Sequence, residues 1–234
     1  IRWLEFRRVL FRSKPIEEIT DKQKRFIADA AHELKTPLTA LKTNIEVNLR
    51  NKNMDIKNAR FVLEDTVKDV DYLNLLTNSL IKQSRYQNKS DIEKEDFEIK
   101  KTIDEIITRL TPKMKEKNIK VSITGEKLEI NANKESITEL FTILIDNAIK
   151  FNKDSGKIEV AVKKINDRVV IVFKDTGEGI NNEDLSKIFD RFYKTDVSRS
   201  KNQVGGFGLG LSIAKEIVEA QIGRAHVWTP VTEY

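Results

Sequence analysis

The chain has 234 residues, of which 34% are charged and 39% hydrophobic, with no cysteine, two histidines and a net charge of +5. That length permits a sizeable core or two domains, and the charge content fits long solvated helices. Disulfides and thiolate metal sites are excluded, a histidine metal cluster is disfavoured, and no apolar run nears the roughly 20 residues that span a bilayer.

The two ends read as foreign to the rest. Residues 3–13, from Trp3 to Ser13, resemble one reading frame of a common sequencing adaptor, and residues 222–232, from Ile222 to Thr232, a frame of its complement. In both frames a tryptophan falls where the adaptor has the triplet TGA, and Trp3 and Trp228 are the only tryptophans. Segments 1–13 and 222–234 are therefore expected to be adaptor-derived and are set aside like fusion scars. The first carries Arg2, Arg7, Arg8 and Arg12 against Glu5, and the second Arg224 against Glu233, which leaves +2 of the +5 for the residues between. No nucleic-acid or membrane-surface partner follows from so small a charge.

Residues 14–88 read as two amphipathic helices. The first is predicted from about Ile16 to Arg50, with Pro15 suited to its first turn. Ile27, Ala31, Leu34, Leu38, Leu41, Ile45 and Leu49 form one continuous apolar stripe along it. Asn51 to Asp55 breaks the pattern as a loop. A second helix follows to about Asn88, with Leu63, Val67, Val70, Leu73, Leu76 or Thr77, and Leu80 recurring. The pair predicts an antiparallel hairpin. One stripe per helix is too little core for independence, so a dimeric four-helix bundle is expected.

His32 stands one residue off the stripe, on a polar face with Asp29, Thr36 and Thr39. Glu33 follows it directly. An imidazole on a solvated face beside a carboxylate can act as a nucleophile, because the carboxylate takes the ring's other proton. Pro37 lacks a backbone donor and crowds the carbonyl of Glu33, so a bend is expected beside the histidine.

Residues 89–95 are charged and unpatterned and read as a linker. Beyond them the pattern predicts a short strand near Phe97–Ile99, a helix from Thr102 to Lys117 and strands at Ile119–Ile123 and Leu128–Ile130. A helix from about Lys134 to Phe151 comes next. Two alternating strands close the series, Lys157–Lys164 and Arg168–Lys174, joined by a turn at Ile165-Asn166-Asp167. Helices interspersed with mixed strands predict a two-layer α/β sandwich over 96–221, and the whole chain an α+β protein.

Four motifs fall in this second region. Asp146-Asn147-Ala148-Ile149-Lys150-Phe151-Asn152 closes a helix; an Asn amide oxygen suits Mg²⁺, and Lys150 stands one turn on, within reach of a phosphate. Asp175-Thr176-Gly177-Glu178-Gly179-Ile180 follows a strand. An acid there can accept from an exocyclic amine, and the glycines let a flat ring approach. Phe189 to Lys194 is aromatic and basic. Gly205-Gly206-Phe207-Gly208-Leu209-Gly210-Leu211 opens a helix whose backbone N–H groups can face phosphate.

Singly each motif is common; together and in this order they are specific. His-Glu-Leu-Lys-Thr-Pro at 32–37 resembles the H-box of the phosphoacceptor helix of sensor histidine kinases. The four later motifs resemble the N, G1, F and G2 boxes of the ATP-binding domain of the same two-component family. The resemblance covers about residues 14–221.

It implies that His32 accepts a phosphoryl group from ATP, with Glu33 activating it and Thr36 positioning water in phosphatase turnover. It implies Asn147 as the Mg²⁺ ligand, Lys150 as a phosphate contact and Asp175 as the partner of the adenine amine, with Gly177 and Gly179 beside the base. Arg191 and Lys194 become candidate contacts to the terminal phosphate. Residues 194–206 become an ATP lid whose end is shaped by Gly206, Gly208 and Gly210. The implied partners are a second copy of the chain and the receiver domain of a response regulator. The implied setting is the cytoplasmic portion of a membrane-anchored sensor, reached through an N-terminal region absent from this sequence.

Two positions depart from the family pattern. Ile143 stands where such kinases often have Asn, and where ATPase relatives of the fold carry a catalytic Glu; an isoleucine cannot act as a base, which argues against a chaperone-like ATPase. Phe207 stands where a small hydroxyl residue is common. The alternative function is a non-catalytic dimeric adaptor with a degenerate nucleotide fold. The family's domain continues with further strands past the G2 helix, so a native sequence ending near Gln221 is expected to leave the sheet incomplete and the domain less stable.

Overall fold

A computed structural model describes residues 2–87, 93–166, 168–195 and 207–221. The chain divides into two compact units, Ile1–Ile81 and Lys82–Tyr234. The division falls inside the second helix, about two turns before the end predicted for the first domain.

The first unit is a helical hairpin of α1 (Arg2–Arg50) and α2 (Ile56–Gln87). The loop between them starts α2 with a side-chain cap: Asp55 Oδ1 accepts from the Asn58 N–H at 2.7 Å. Helix α1 does not begin beside Pro15. It starts at Arg2 and runs through both Pro15 and Pro37. No glycine precedes Pro15, and helix-forming residues extend the helix N-terminally past both it and Ser13. The predicted stripe is only partly covered within the single chain. Leu41 is buried, whereas Ile27, Leu38, Ile45 and Leu49 are exposed, as are Phe61, Leu63, Val67 and Val70 on α2.

The second unit runs β1 (Glu95–Glu98), α3 (Ile99–Glu116), β2 (Lys120–Gly125), β3 (Glu129–Ala132), α4 (Lys134–Lys150), β4 (Lys157–Ile165), β5 (Arg168–Asp175) and α5 (Gly210–Gln221). Glu95, assigned to the linker by its charge, is the first residue of β1 and pairs with Ala132. The strands form two ladders. β1 and β3 make an antiparallel pair, and β2-β4-β5 make a three-stranded sheet, parallel between β2 and β4 and antiparallel between β4 and β5. The parallel step is carried by the crossover through α4. Among the described residues β5 pairs only with β4. Asn166 turns the chain at φ +46°, and Asp167 lies outside the described residues.

Helix α4 is the centre of this unit. Asn133 caps it, its Oδ1 accepting from the Ser136 N–H at 2.8 Å. Ile137, Leu140, Phe141, Ile145, Ala148 and Ile149 are buried along it. They share a core with Ile158, Val160 and Val162 of β4, each fully buried, and Phe141 meets Phe173 of β5 at 5.6 Å between ring centroids. Helix α5 buries Ile213, Ala214 and Ile217. It runs antiparallel to α4: the Asn133 N–H donates to Gln221 Oε1 at one end, and Gly210 meets Ile143 and Asn147 at the other. The C-terminal half of α4 and the start of α5 therefore face one another.

Candidate active site

The candidate residues fall into two sets, one in each unit. In the first, His32, Glu33 and Thr36 lie on the exposed face of α1. Thr36 Oγ1 donates to the His32 carbonyl at 3.3 Å, one turn back. Among the described residues no hydrogen bond joins the His32 ring to the Glu33 carboxylate, because adjacent helical positions point about 100° apart. Tyr72 on α2, which the sequence did not mark, lies close to Glu33. Burial, and then the Glu33 carboxylate, raise its phenol above the usual 10.0. An open strip of surface runs along the same face of α1 from His32 past Lys35, Thr36, Thr39 and Ala40 to Thr43 and Asn44.

In the second unit three of the four motifs converge on the end of α4. Asn147 is half-buried on the face turned to α5. A β-carbon at Gly210 would stand 3.3 Å from Ile143 Cγ2 and 3.9 Å from Asn147 Nδ2, so the α5 N-terminus lies against Asn147. Ile143 is thus a packing residue for the start of α5. Lys150 is one turn beyond Asn147, its Nζ 5.3 Å from the Phe151 ring centroid. Burial lowers its pKa from the usual 10.5, Asp146 opposes that shift, and the charges of Lys194 and Lys113 add to it. Lys194 is therefore close enough to share a small basic cluster with Lys150.

The turn after β5 hangs on the end of the same helix. The Glu178 N–H donates to the Phe151 carbonyl at 3.2 Å, and Asp175 Oδ1 accepts from the Gly177 N–H at 2.8 Å. Gly177 has no room for a side chain: a β-carbon would lie 2.6 Å from the Phe151 carbonyl oxygen and 2.7 Å from Asp175 Oδ1. Gly179, at φ +73°, has no atom within 4 Å of its β-carbon position, so the turn is open on that side. A flat ring fits such an arrangement, with a tight backbone behind and an open face in front. Gly177→Ala should lower unfolding stability by about 1–3 kcal/mol, read from the urea midpoint, because the clash is with backbone and cannot be relieved by a rotamer.

Sequence reasoning missed what locks this turn. Asn152 is 4% exposed. Its Nδ2 donates to the Lys157 carbonyl at 3.2 Å, and its Oδ1 accepts from Thr176 Oγ1 at 3.1 Å. Thr176 Oγ1 in turn accepts from the Lys157 N–H at 2.8 Å. Both residues stood inside the motifs, and a buried amide closing a helix was the available signal.

The aromatic-basic motif is placed differently from expectation. Arg191 Nη2 pairs with Glu216 Oε1 of α5 at 2.9 Å, and both side chains are largely buried. That pair joins the segment to α5. Tyr193 donates to Asp184. Phe192 holds φ +61°, an uncommon conformation for an aromatic residue. Gly208, at φ +72°, sits where a β-carbon would meet the Tyr193 carbonyl oxygen at 2.5 Å. Residues 196–206, including Gly206 and most of the expected lid, lie outside the described residues.

Residues 22–89 match the His Kinase A phospho-acceptor domain (HisKA). Residues 132–233 match the histidine kinase-, DNA gyrase B- and HSP90-like ATPases (HATPase_c), a range that runs past Gln221 into the segment expected to be foreign. The chain belongs to the sensor histidine kinases of two-component systems. It is 33% identical over 220 residues to the sensor protein kinase WalK of Staphylococcus epidermidis, which is 93% of this chain but only 36% of that protein. The chain thus spans about a third of the length of that relative. Its fold resembles the histidine kinase AdeS of Acinetobacter baumannii (TM-score 0.64, 20% identity, 81% of this chain and 86% of that one). It also resembles the histidine kinase ThkA, solved in complex with the response regulator protein TrrA (TM-score 0.64, 22% identity, 82% and 53%). No helix among the described residues is long and apolar enough to cross a membrane.

Proposed function

We propose that this chain is a dimeric kinase core that phosphorylates His32 from ATP and passes the phosphoryl group to an aspartate on a response regulator. The observation that carries the reading is the convergence of Asn147, Lys150, the Gly177 turn and the α5 N-terminus in one unit, with an exposed His32 followed by Glu33 in the other.

Each residue then has a role. Asp175 accepts from the adenine amine, and Gly177 and Gly179 admit the ring. Lys150 and Lys194 face the phosphates, and the backbone around Gly206, Gly208 and Gly210 shapes the phosphate end of the site. The donor set fits a magnesium ion: Asn147 offers a neutral hard oxygen beside a basic cluster that would hold phosphate oxygens. Such an ion, when bound, neutralises phosphate charge. Arg191 reaches the terminal phosphate only by leaving Glu216.

For the transfer itself, one nitrogen of neutral His32 attacks the γ-phosphorus. The bond from that phosphorus to the β,γ-bridging oxygen breaks and ADP departs. The ring's other proton passes to Glu33 once a rotamer change brings that carboxylate to the ring. In the second transfer the P–N bond breaks as the regulator's aspartate oxygen forms an acyl phosphate. Thr36 positions water when the regulator is dephosphorylated. The open face of α1 around His32 leaves room for a receiver domain, and ThkA offers the precedent of a kinase complexed with a regulator. The exposed apolar residues of α1 and α2 support pairing of two hairpins into a four-helix bundle. In the same proposal the segment is the cytoplasmic part of a membrane-anchored parent, and its two ends are adaptor-derived. Nucleotide reads with other codons at 3–13 and 222–232 would rule out the adaptor origin.

Labelling by γ-phosphate-labelled ATP with Mg²⁺ tests the kinase reading. Its pH dependence tests Lys150. Phosphate binding needs the charged ammonium, and the lowered pKa means that charge is lost below the ordinary 10.5. ATP affinity should therefore fall as pH rises through that depressed value, and Lys150→Arg should flatten the fall. Folding stability carries the opposite sign. Between the folded and unfolded pKa values the unfolded chain binds more protons, so this group's contribution to stability rises with pH there.

A further inference from the structure

We infer that Lys117 is a positioning residue for the nucleotide site, holding the C-terminal end of α4 and, through it, Lys150 and the Asp175–Gly179 turn. The inference deepens the kinase reading and rests on it. Helices α3 and α4 are joined by a polar ladder of constant offset. Arg109 Nη2 donates to Thr142 Oγ1 at 2.8 Å, and Lys113 Nζ to Asp146 Oδ1 at 2.6 Å. One turn on, beyond the end of α3, Lys117 Nζ donates to the carbonyls of Ile149 at 3.2 Å, Lys150 at 2.7 Å and Asn152 at 3.3 Å. Donors step by four and so do acceptors, so the two helices lie parallel and in register.

The first two rungs grip side chains; the third grips backbone. The last carbonyls of a helix lack intrahelical partners and carry partial negative charge. Here Lys117 takes those of residues 149, 150 and 152, while the one left between them, on Phe151, accepts from the Glu178 N–H. One ammonium and one amide from the glycine turn thus hold the end of α4 together with the Asn152 N–H, which also donates to the Ile149 carbonyl at 3.4 Å. Gly177 packs so tightly on the Phe151 carbonyl that the turn must follow any movement of that backbone. Lys117 touches no reacting group, yet it fixes both the phosphate-facing lysine and the turn proposed for the base.

The test uses the full chain carrying Lys117→Met, which keeps the aliphatic stem and removes the donors. Labelling rates are measured across ATP concentration, and hydrogen exchange at the Glu178 amide is followed without nucleotide. KM for ATP should rise about tenfold with maximal rate nearly unchanged, the pattern of lost uniform binding. Exchange at Glu178 should quicken by about tenfold. Lys117→Arg should recover most of both, since a guanidinium still aims several donors at the carbonyls. Mere destabilisation lowers maximal labelling at constant KM; that result, with Glu178 exchange unchanged, overturns the inference. If the parent chain takes no label, the kinase reading fails alone, and exchange at Glu178 still decides the role of Lys117. Should Lys117→Met not fold, Lys117→Gln is read by the same two measurements.

Discussion

Replacing His32 by alanine should abolish ATP-dependent labelling, down to background, while leaving the fold and the nucleotide affinity intact. His32 is exposed on a long helix, and alanine is the best helix former, so the substitution should shift stability by no more than about 0.5 kcal/mol. The label itself reports its chemistry. A phosphoramidate is lost in acid and survives base, whereas a serine phosphate behaves in the opposite way. The chain has only one other histidine, His226, so His226→Ala is the matched control and should retain full labelling. Far-UV circular dichroism and calorimetric titration with ATP separate a lost acceptor from a lost site. Persistence of an acid-labile label in His32→Ala would remove the central assignment. So would a label stable in acid, which would move the acceptor to a hydroxyl.

How much of this was legible beforehand differs between local and non-local features. Strands β4 and β5 lie within one residue of their predicted limits, because alternation over eight or nine residues is a local signal. Helix α4 likewise begins at Lys134 as expected, since Asn133 is a capping residue that the sequence shows directly. The start of α1 was not legible, because Pro15 is favoured in a first turn and disfavoured inside a helix, yet the helix runs through it from Arg2. Nor was the split of the strands into two ladders, which depends on which edges meet in space.

The site divides in the same way. Gly177, Gly208 and Gly210 stood out in their motifs; a β-carbon would strike backbone at the first two, and only the side chains of Ile143 and Asn147 at Gly210. The Arg191–Glu216 pair, the proximity of Tyr72 to Glu33, and the grip of Lys117 on α4 were invisible, since each joins residues 25 to 39 positions apart. Arg191 shows the same division: its phosphate role is implied by the resemblance of the motif, whereas the carboxylate on α5 that holds its guanidinium could not be read from the sequence.

Asn147→Asp is the second large effect, and it tests the metal and phosphate assignments together. The change preserves shape, adds a negative charge and replaces the amide donor with an acceptor. Its consequence turns on the neighbouring cations. Asp146 is already neutralised by Lys113 at 2.6 Å, so that lysine is occupied. A new carboxylate at 147 would face Lys150, one turn on, and Lys194 near it, which are the groups proposed to meet the phosphates. The carboxylate would repel a triphosphate directly and draw away the charge meant to hold it. It would also raise the Lys150 pKa back toward its ordinary value, reversing the effect of burial. Labelling should therefore fall by about 100-fold or more, the scale of removing one oriented charge-stabilising group from a phosphoryl-transfer site. ATP affinity measured by calorimetry should fall in parallel, with no loss of helical signal. Unchanged labelling would mean that Asn147 holds neither metal nor nucleotide, and that Lys150 faces something other than phosphate. A lost label with ATP affinity intact would instead keep the binding site and limit Asn147 to the transfer step.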